Sequence, residues 1–139
     1  MDRFGKKRWA TIDVVRNRDE KCPCGSNQSY ADCCGALHSG ERTAATAEQL
    51  MRSRYSAFAV ADEAYLLRTW HPSKRPSDLD LDPGQRWTGL EILGTSGGGL
   101  LQNEGTVEFR AQSTDGVVHE VSRFVRDGGQ WVYLEGTHR

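Results

Sequence analysis

The sequence predicts an α+β fold, in which helices come first along the chain and an antiparallel sheet follows. Apolar side chains recur with helical spacing between residues 46 and 70. From residue 86 onward they alternate with polar ones between short glycine-containing turns, a pattern typical of β-strands. In addition, four cysteines within residues 22–34 indicate a small unit before the first helix. A chain of 139 residues has the length of one ordinary domain with a small appendage.

Two helices are predicted from caps and apolar spacing. The first begins after Thr46, which stands three residues before Gln49 as in a capping box. Its apolar stripe comprises Leu50, Met51, Arg54, Tyr55 and Phe58. The second begins near Asp62 and must stop at His71, because a proline follows. Residues 72–85 hold three of the four prolines and are predicted to form a loop.

Four strands joined by short turns follow. Their predicted ranges are 86–95, 104–113, 117–126 and 130–136. In the second strand Val107, Phe109 and Ala111 share one face, because side chains alternate along a strand. We therefore expect an antiparallel meander with the helices packed on its apolar face.

Charge and hydropathy exclude several classes of protein. The formal net charge is -1 and 27% of residues are charged, which is typical neither of a polybasic nucleic-acid binder nor of an acidic tail. Residues 1–21 nevertheless carry seven Lys or Arg against four Asp or Glu, which predicts a basic extension. The sequence holds no apolar run typical of a secretory signal or a membrane span, so we expect a soluble cytoplasmic protein.

The cysteines favour a metal site over disulfides. A bridge from Cys22 to Cys24 would close a very tight ring, and one between the neighbours Cys33 and Cys34 would be strained. Crossed pairings would suit a secreted chain. Four thiolates around one tetrahedral zinc ion tolerate short spacings and leave no position for water, so such a site is structural. Redox cysteines or a labile disulfide pair are the alternative. His38 could substitute as a ligand, although we expect it to be exposed.

The segment "CPCGSNQSYADCC" resembles the SEC-C motif, the zinc-binding segment named after the C-terminus of the SecA translocation ATPase. By that resemblance the zinc ligands are Cys22, Cys24, Cys33 and Cys34. Asn27 stands where the motif usually has glycine, a mild change because asparagine tolerates left-handed backbone. Gln28 replaces the usual lysine, which removes a charge that would favour an acidic or nucleic-acid partner.

The order of helices and sheet resembles the nuclear transport factor 2-like, or cystatin-like, fold, which often encloses a conical pocket. Together with the cysteine segment, the stretches "TAEQLMRSRYSAF", "WTGLEIL" and "HEVSRFVRDGGQWVYLEG" resemble the YchJ-like family of bacterial proteins over residues 22–136. The resemblance implies a zinc segment with linker at 22–45 and a nuclear transport factor 2-like α+β domain at 46–139. It implies a fold and a metal but no reaction.

Four side chains are candidates for binding a ligand in such a pocket: Arg54, His71, Glu108 and His119. His119 and Glu108 lie on neighbouring strands and could pair as acid and base, or form an ordinary surface pair. Arg54 falls on the apolar stripe. Once buried, it must find a carboxylate, such as Glu108 or Glu120, or backbone carbonyls. It could pin the helix to the sheet or hold an anionic ligand. We find no convincing catalytic constellation, which favours a role other than catalysis but leaves an enzyme as an alternative.

Three functions are compatible with these features. The first is a protein-interaction module that docks through its zinc segment, as the resemblance to SecA implies, on a partner in export, a chaperone or a ribosome-associated protein. The second is a small-ligand binder or enzyme that uses the cavity, with zinc pinning the N-terminal segment. The third, contact with RNA, is weakened by Gln28 and by the net acidic domain. Sheets of this type often pair through an outer face, so a homodimer is a further expectation.

Overall fold

A computed structural model describes residues 19–139 of the chain. Its helices are α1 (Cys34–His38), α2 (Ala47–Ala59) and α3 (Glu63–Arg68), and its strands are β1 (Trp87–Gly97), β2 (Glu104–Ser113), β3 (Gly116–Asp127) and β4 (Gln130–His138). The strands form one antiparallel sheet in the order β1-β2-β3-β4. The predicted α+β class is therefore confirmed. Most of the predicted basic extension, residues 1–21, lies outside the described residues. Within the described range, no helix has both the length and the apolar character needed to cross a bilayer.

Side-chain caps start α2 and α3 where the sequence predicts. The Oγ1 atom of Thr46 accepts a hydrogen bond from the backbone N–H of Gln49 at 3.1 Å. In a capping box the side chain of Gln49 would accept from the backbone N–H of Thr46. Here Oε1 of Gln49 instead accepts from the backbone N–H of Ala45, at 2.9 Å. Asp62 caps α3 by accepting from the backbone N–H of Tyr65 at 3.0 Å. These bonds satisfy N–H groups that have no partner in the first turn of a helix.

Helix α3 ends at Arg68, three residues before the predicted stop at His71. The backbone that follows pairs with β4 instead. Tyr133 donates to the carbonyl of Thr69 at 2.7 Å, and His71 donates to the carbonyl of Tyr133 at 2.7 Å. A sheet edge offers these groups partners that the residues before Pro72 cannot find in a helix. This contact fixes the end of α3 against the last strand.

Helix α2 packs on the apolar face of the sheet. Leu50, Met51 and Tyr55 of the predicted stripe are buried, whereas Phe58 remains 36% exposed. Val107, Phe109 and Ala111 are buried on β2, which confirms their predicted common face. Phe124 and Trp131 from the last two strands complete the main core. One helix and one face of the sheet therefore supply most of the buried apolar surface.

The glycine-rich turn after β1 touches the start of α2. The carbonyl of Gly98 accepts a hydrogen bond from the backbone N–H of Ala47 at 2.9 Å. Gly98 has a φ of 78°, and a Cβ atom there would lie 2.7 Å from Cβ of Ala47. Both the left-handed backbone and this close approach require glycine. The turn therefore holds the first turn of α2 on the sheet.

We expect Gly98→Ala to destabilise the protein more than Gly128→Ala. Gly128 also has a left-handed backbone, with a φ of 62°, but nothing lies within 4 Å of its Cβ position. The control should lose about 1–2 kcal/mol from backbone strain alone. Gly98→Ala should lose about 1–3 kcal/mol more, because the added methyl group overlaps Ala47. Urea unfolding of both variants measures the difference, and equal losses would contradict this close contact.

Candidate metal centre and cavity

The four cysteine sulfurs form one compact cluster. All four Sγ atoms lie within 4.8 Å of one another. The Sγ atoms of Cys24 and Cys33 are 3.7 Å apart, and those of Cys33 and Cys34 are 4.0 Å apart. Sulfurs bound at about 2.3 Å to one tetrahedral zinc ion lie about 3.8 Å from each other, whereas a disulfide bond is about 2.05 Å long. The cluster could therefore hold a metal ion, and its spacing fits a tetrahedral one.

Two left-handed residues shape the loop that carries the first pair of cysteines. Gly25 has a φ of 87° and Asn27 a φ of 73°. Asn27 thus adopts the left-handed backbone that asparagine tolerates, at the position where the motif usually has glycine. The loop closes through a hydrogen bond from Cys22 to the carbonyl of Gln28 at 2.8 Å. It places two cysteines beside the start of α1, where the other pair lies.

The cluster packs directly against α2. The Sγ atom of Cys22 lies 3.5 Å from Oγ of Ser56, and Nη1 of Arg52 donates to the carbonyl of Cys24 at 2.8 Å. Cys22, Cys24 and Cys34 are at most 4% exposed, whereas Cys33 is only partly buried. Ser26 donates a hydrogen bond to Sγ of Cys33 at 3.1 Å. The helix therefore forms the floor of the cluster.

Hydrogen bonds among three of the thiols shift their pKa values. Hydrogen bonds from Cys24 and from Cys34 lower the pKa of Cys22. Hydrogen bonding to Cys22 raises the pKa of Cys24 to about 11 and also raises the pKa of Cys34. The ionisation of each of these three thiols therefore depends on that of the others. A bound cation would displace the remaining protons, so metal binding is linked to pH.

His38 is buried rather than exposed, and the expectation that it faces solvent is wrong. Its side chain is 5% exposed. Its Nε2 atom donates to the carbonyl of Ser53 at 2.8 Å, so Nδ1 accepts the hydrogen bond from the Tyr30 hydroxyl at 2.6 Å. Its ring also packs on that of Tyr65, with centroids 4.6 Å apart. Both nitrogens are engaged, so His38 joins the cysteine segment to α2 and does not replace a cysteine ligand.

A cavity of about 220 Å³ lies on the other side of α2, between this helix and the sheet. Six aromatic side chains contribute to its wall: Tyr55, Phe58, Trp70, Trp87, Phe109 and Tyr133. Its polar groups are few. They include the guanidinium of Arg54, the carboxylate of Glu120 and the hydroxyl of Ser122. Apolar walls with a few convergent polar groups are typical of small-molecule sites.

Arg54 crosses the apolar floor of this cavity. Its side chain is buried, with 5% of the residue exposed. Nη1 donates to the carbonyl of Leu66 and to Oγ1 of Thr69, each at 2.8 Å. The guanidinium carbon lies 4.6 Å from the ring centroid of Tyr133 and 5.2 Å from that of Trp70. Burial lowers the pKa of Arg54 to about 10. Arg54 therefore donates to a backbone carbonyl, as we expected for a buried guanidinium. It forms no ion pair with Glu108 or Glu120.

The other three predicted ligand-binding residues lie away from this cavity. Nε2 of His119 pairs with Oε2 of Glu108 at 2.8 Å, as the strand order allowed, but on the opposite face of the sheet. His71 accepts hydrogen bonds through Nδ1 from the backbone N–H and hydroxyl of Ser73, at 3.1 and 2.8 Å, and so closes a local turn. The structure thus brings together two of the four predicted residues, and neither of them meets Arg54.

Sequence reasoning missed several polar groups in the wall. Glu120 appeared only as a partner for Arg54, but it accepts from Ser122 at 2.7 Å and from the Tyr133 hydroxyl at 3.4 Å. The hydroxyl of Tyr55 lies near the backbone of Gly89, and Nε1 of Trp70 has no hydrogen-bond partner among the described residues. Side chains alternate along β3, so Glu120 and Ser122 lie on one face of the strand. This alternation is the signal in the sequence that could have placed both residues in the cavity wall.

Comparison with known proteins assigns the chain to a family. Residues 46–136 match the model of the YchJ middle domain, which is nuclear transport factor 2-like, and residues 20–36 match the SEC-C motif. The chain belongs to the YchJ-like UPF0225 family. The resemblance seen in the sequence is thereby confirmed, and so is the nuclear transport factor 2-like fold.

Relatives of this YchJ-like chain occur in several bacteria. A UPF0225 protein of Streptomyces coelicolor is 59% identical over 115 residues, which cover 83% of this chain and 93% of the relative. One of Streptomyces avermitilis is 52% identical over 136 residues, which cover 98% of this chain and 97% of the relative.

Two solved structures are similar to this chain. The solution structure of a SEC-C motif containing protein from Rhodopseudomonas palustris has a TM-score of 0.73 and 38% identity, over 85% of this chain and 98% of that chain. The crystal structure of a SEC-C motif containing protein from Psychrobacter arcticus has a TM-score of 0.71 and 29% identity, over 89% of this chain and 85% of that chain.

We expect His38→Ala to destabilise the protein by about 2 kcal/mol at neutral pH, because two buried hydrogen bonds are lost. Burial lowers the pKa of His38 in the folded state. Its contribution is therefore present above the unfolded pKa of about 6.5 and declines as the pH falls below that value. The difference in unfolding free energy between wild type and variant should shrink from pH 7.5 to pH 5. A constant difference across this range, measured by urea unfolding, would contradict a neutral buried imidazole.

Proposed function

We propose that the four cysteines bind one zinc ion and that this zinc is structural. Four sulfurs at tetrahedral spacing suit zinc, which is commonly held by cysteine thiolates. A full set of four protein ligands leaves no open position, so a bound zinc ion would supply cross-linking rather than chemistry. Burial of three of the sulfurs against α2 supports this role.

The cross-link would fasten the N-terminal segment to the domain. The core around the cysteines is small, since Tyr30 and Val60 are its only other fully buried members within residues 19–139. Such a core contributes little apolar burial, whereas structural zinc supplies on the order of 10 kcal/mol in small zinc peptides. The segment that carries His38 and Cys22 onto α2 would therefore depend on the metal for its order.

Protein purified under reducing conditions should contain one zinc ion per chain by elemental analysis. Cys33→Ser should lower the zinc content and the melting temperature, whereas the neighbouring exposed change Asp32→Ala should alter neither. Zinc retention should also fall as the pH falls, because protons compete for the thiolates. Wild-type protein with no stoichiometric metal and four thiols free to react with a labelling reagent would overturn the proposal.

We further propose that the protein works as a small-molecule binder through the cavity between α2 and the sheet. The single observation that carries this proposal is the buried guanidinium of Arg54 in the wall of a largely apolar cavity. A buried polar group without a partner costs about 1–3 kcal/mol. A ligand that accepts hydrogen bonds from the free N–H groups of Arg54 recovers part of that cost on binding.

A side chain that fills the cavity should abolish binding. Val118 lines the cavity, whereas its neighbour Val117 points to the opposite face of β3 and is 59% exposed. We expect Val118→Phe to remove the response of the protein to a panel of neutral and anionic ring compounds, and Val117→Phe to preserve it. The response is measured as shifts of the indole N–H signals of Trp70 and Trp87 by NMR. No response to any compound by the wild type would overturn this proposed function.

Docking of a protein partner through the SEC-C segment stays a prediction. Three of the four cysteines are buried, so a partner would contact the outer side chains of the loop rather than the cysteines themselves. Among the candidate outer side chains, Arg42 and Arg52 border a groove of about 290 Å³ beside Cys33. Contact with RNA and formation of a homodimer likewise stay predictions.

A further inference from the structure

Arg54 is the only positively charged side chain in the described wall of the cavity. Its N–H groups that make no hydrogen bond to the protein indicate which ligand the cavity would bind. Resting on the proposed binding function, we propose that the cavity binds a small monocarboxylate with an apolar ring, whose carboxylate pairs with Arg54. Three features of the wall carry this inference: the orientation of the guanidinium, the position of the carboxylate of Glu120, and the size and apolar character of the remaining space.

The hydrogen bonds of Arg54 leave one edge of its guanidinium free. Nη1 is occupied by the carbonyl of Leu66 and by Oγ1 of Thr69. Nε and Nη2 have no acceptor among residues 19–139. An N–H on each of these two atoms points in the same direction, and together they form a planar fork that matches the two oxygens of a carboxylate.

Aromatic rings hold this fork in position. The guanidinium lies against the rings of Tyr133 and Trp70, which restricts its rotation through contacts with their faces. A fixed donor pair loses little freedom when a ligand binds. Among residues 19–139 the guanidinium of Arg54 forms no ion pair with a carboxylate: Glu108 pairs with His119, and Glu120 lies 3.7 Å from His138. A buried cation of this kind favours an anion, because burial without a counter-charge is costly.

Glu120 restricts the anion to a single charge. It is the only carboxylate in the described wall of the cavity, and its Oε2 atom accepts from Ser122 and Tyr133. A dianion such as a phosphate monoester would be repelled by this carboxylate and would find only one arginine to neutralise it. A monocarboxylate brings half the charge of such a dianion, so Glu120 repels it less while Arg54 still pairs with it.

The remaining space suits a ring. An apolar cavity of about 150 Å³ is large enough to bind benzene. The present cavity of about 220 Å³ therefore has room for such a ring and a carboxylate. Met51, Phe109 and Ala111 provide apolar surface in its wall. Benzoate is accordingly a suitable probe, and benzamide is a neutral probe of nearly the same shape.

The test is an NMR titration of the full-length, metal-loaded protein with benzoate, benzamide and acetate. We expect benzoate to shift the indole signals of Trp70 and Trp87 and to bind at least about tenfold more tightly than either other probe. The indole of Trp131 should not respond, because its N–H donates to the carbonyl of Ala45 at 3.1 Å and it does not line the cavity.

Two variants assign the charge preference to particular residues. Arg54→Lys retains the charge but removes the fork, so benzoate should bind about tenfold more weakly while benzamide is unaffected. The exposed change Arg110→Lys is the control and should alter neither affinity. If Arg54→Lys does not fold, Glu120→Gln provides the second test, since removal of the neighbouring negative charge should tighten benzoate binding several-fold.

The possible results separate this inference from the proposed function. Equal affinity for benzoate and benzamide would overturn the carboxylate preference and leave a cavity that binds small molecules. Equal affinity for acetate and benzoate would overturn the ring. Unchanged benzoate binding in folded Arg54→Lys, or in Glu120→Gln, would overturn the assigned role of that residue. No shift of either indole with any compound of the larger panel would overturn the binding function itself.

Discussion

Helix α2 is packed on both sides, and the two candidate sites depend on that packing. One side meets the cysteine cluster, through Ser56 beside Cys22 and through Arg52, which donates to the carbonyl of Cys24. The other side carries Met51, Arg54 and Tyr55 into the cavity under the sheet. A helix that is buried on two sides fixes its rotation closely, because any turn about its axis would disrupt both contacts. The geometry of each site is therefore coupled to that of the other through one short element.

Burial of a guanidinium is the least favourable feature of the cavity. Three contributions offset it: two hydrogen bonds from Nη1, contact with two aromatic rings, and the attraction of Glu120 at longer range. None of them is an ion pair. A buried arginine that merely joined a helix to a sheet would be expected to use all its donors within the protein. Arg54 uses one edge and leaves the other open to the cavity, which favours a binding role over a purely structural one.

The sequence predicted much of the fold because its signals are local. Alternation of apolar residues located all four strands, and the caps at Thr46 and Asp62 located two helix starts. The end of α3 was predicted three residues too late, because the competing partner of Thr69 and His71 is Tyr133, more than 60 residues away. The pairing of His119 with Glu108 followed from strand order, but which face of the sheet it occupies required the packing of α2.

By itself, the sequence determined the cysteine set, the order of the elements and the apolar face of β2, since spacing and periodicity reflect chemistry within a few residues. Only the tertiary structure decided that His38 is buried on Ser53, that Arg54 lies against the rings of Tyr133 and Trp70, and that Glu120 faces the cavity. Each of these facts joins residues from separate elements. Their contacts depend on how helices and strands pack in three dimensions, because local spacing carries no information about the partner on another element.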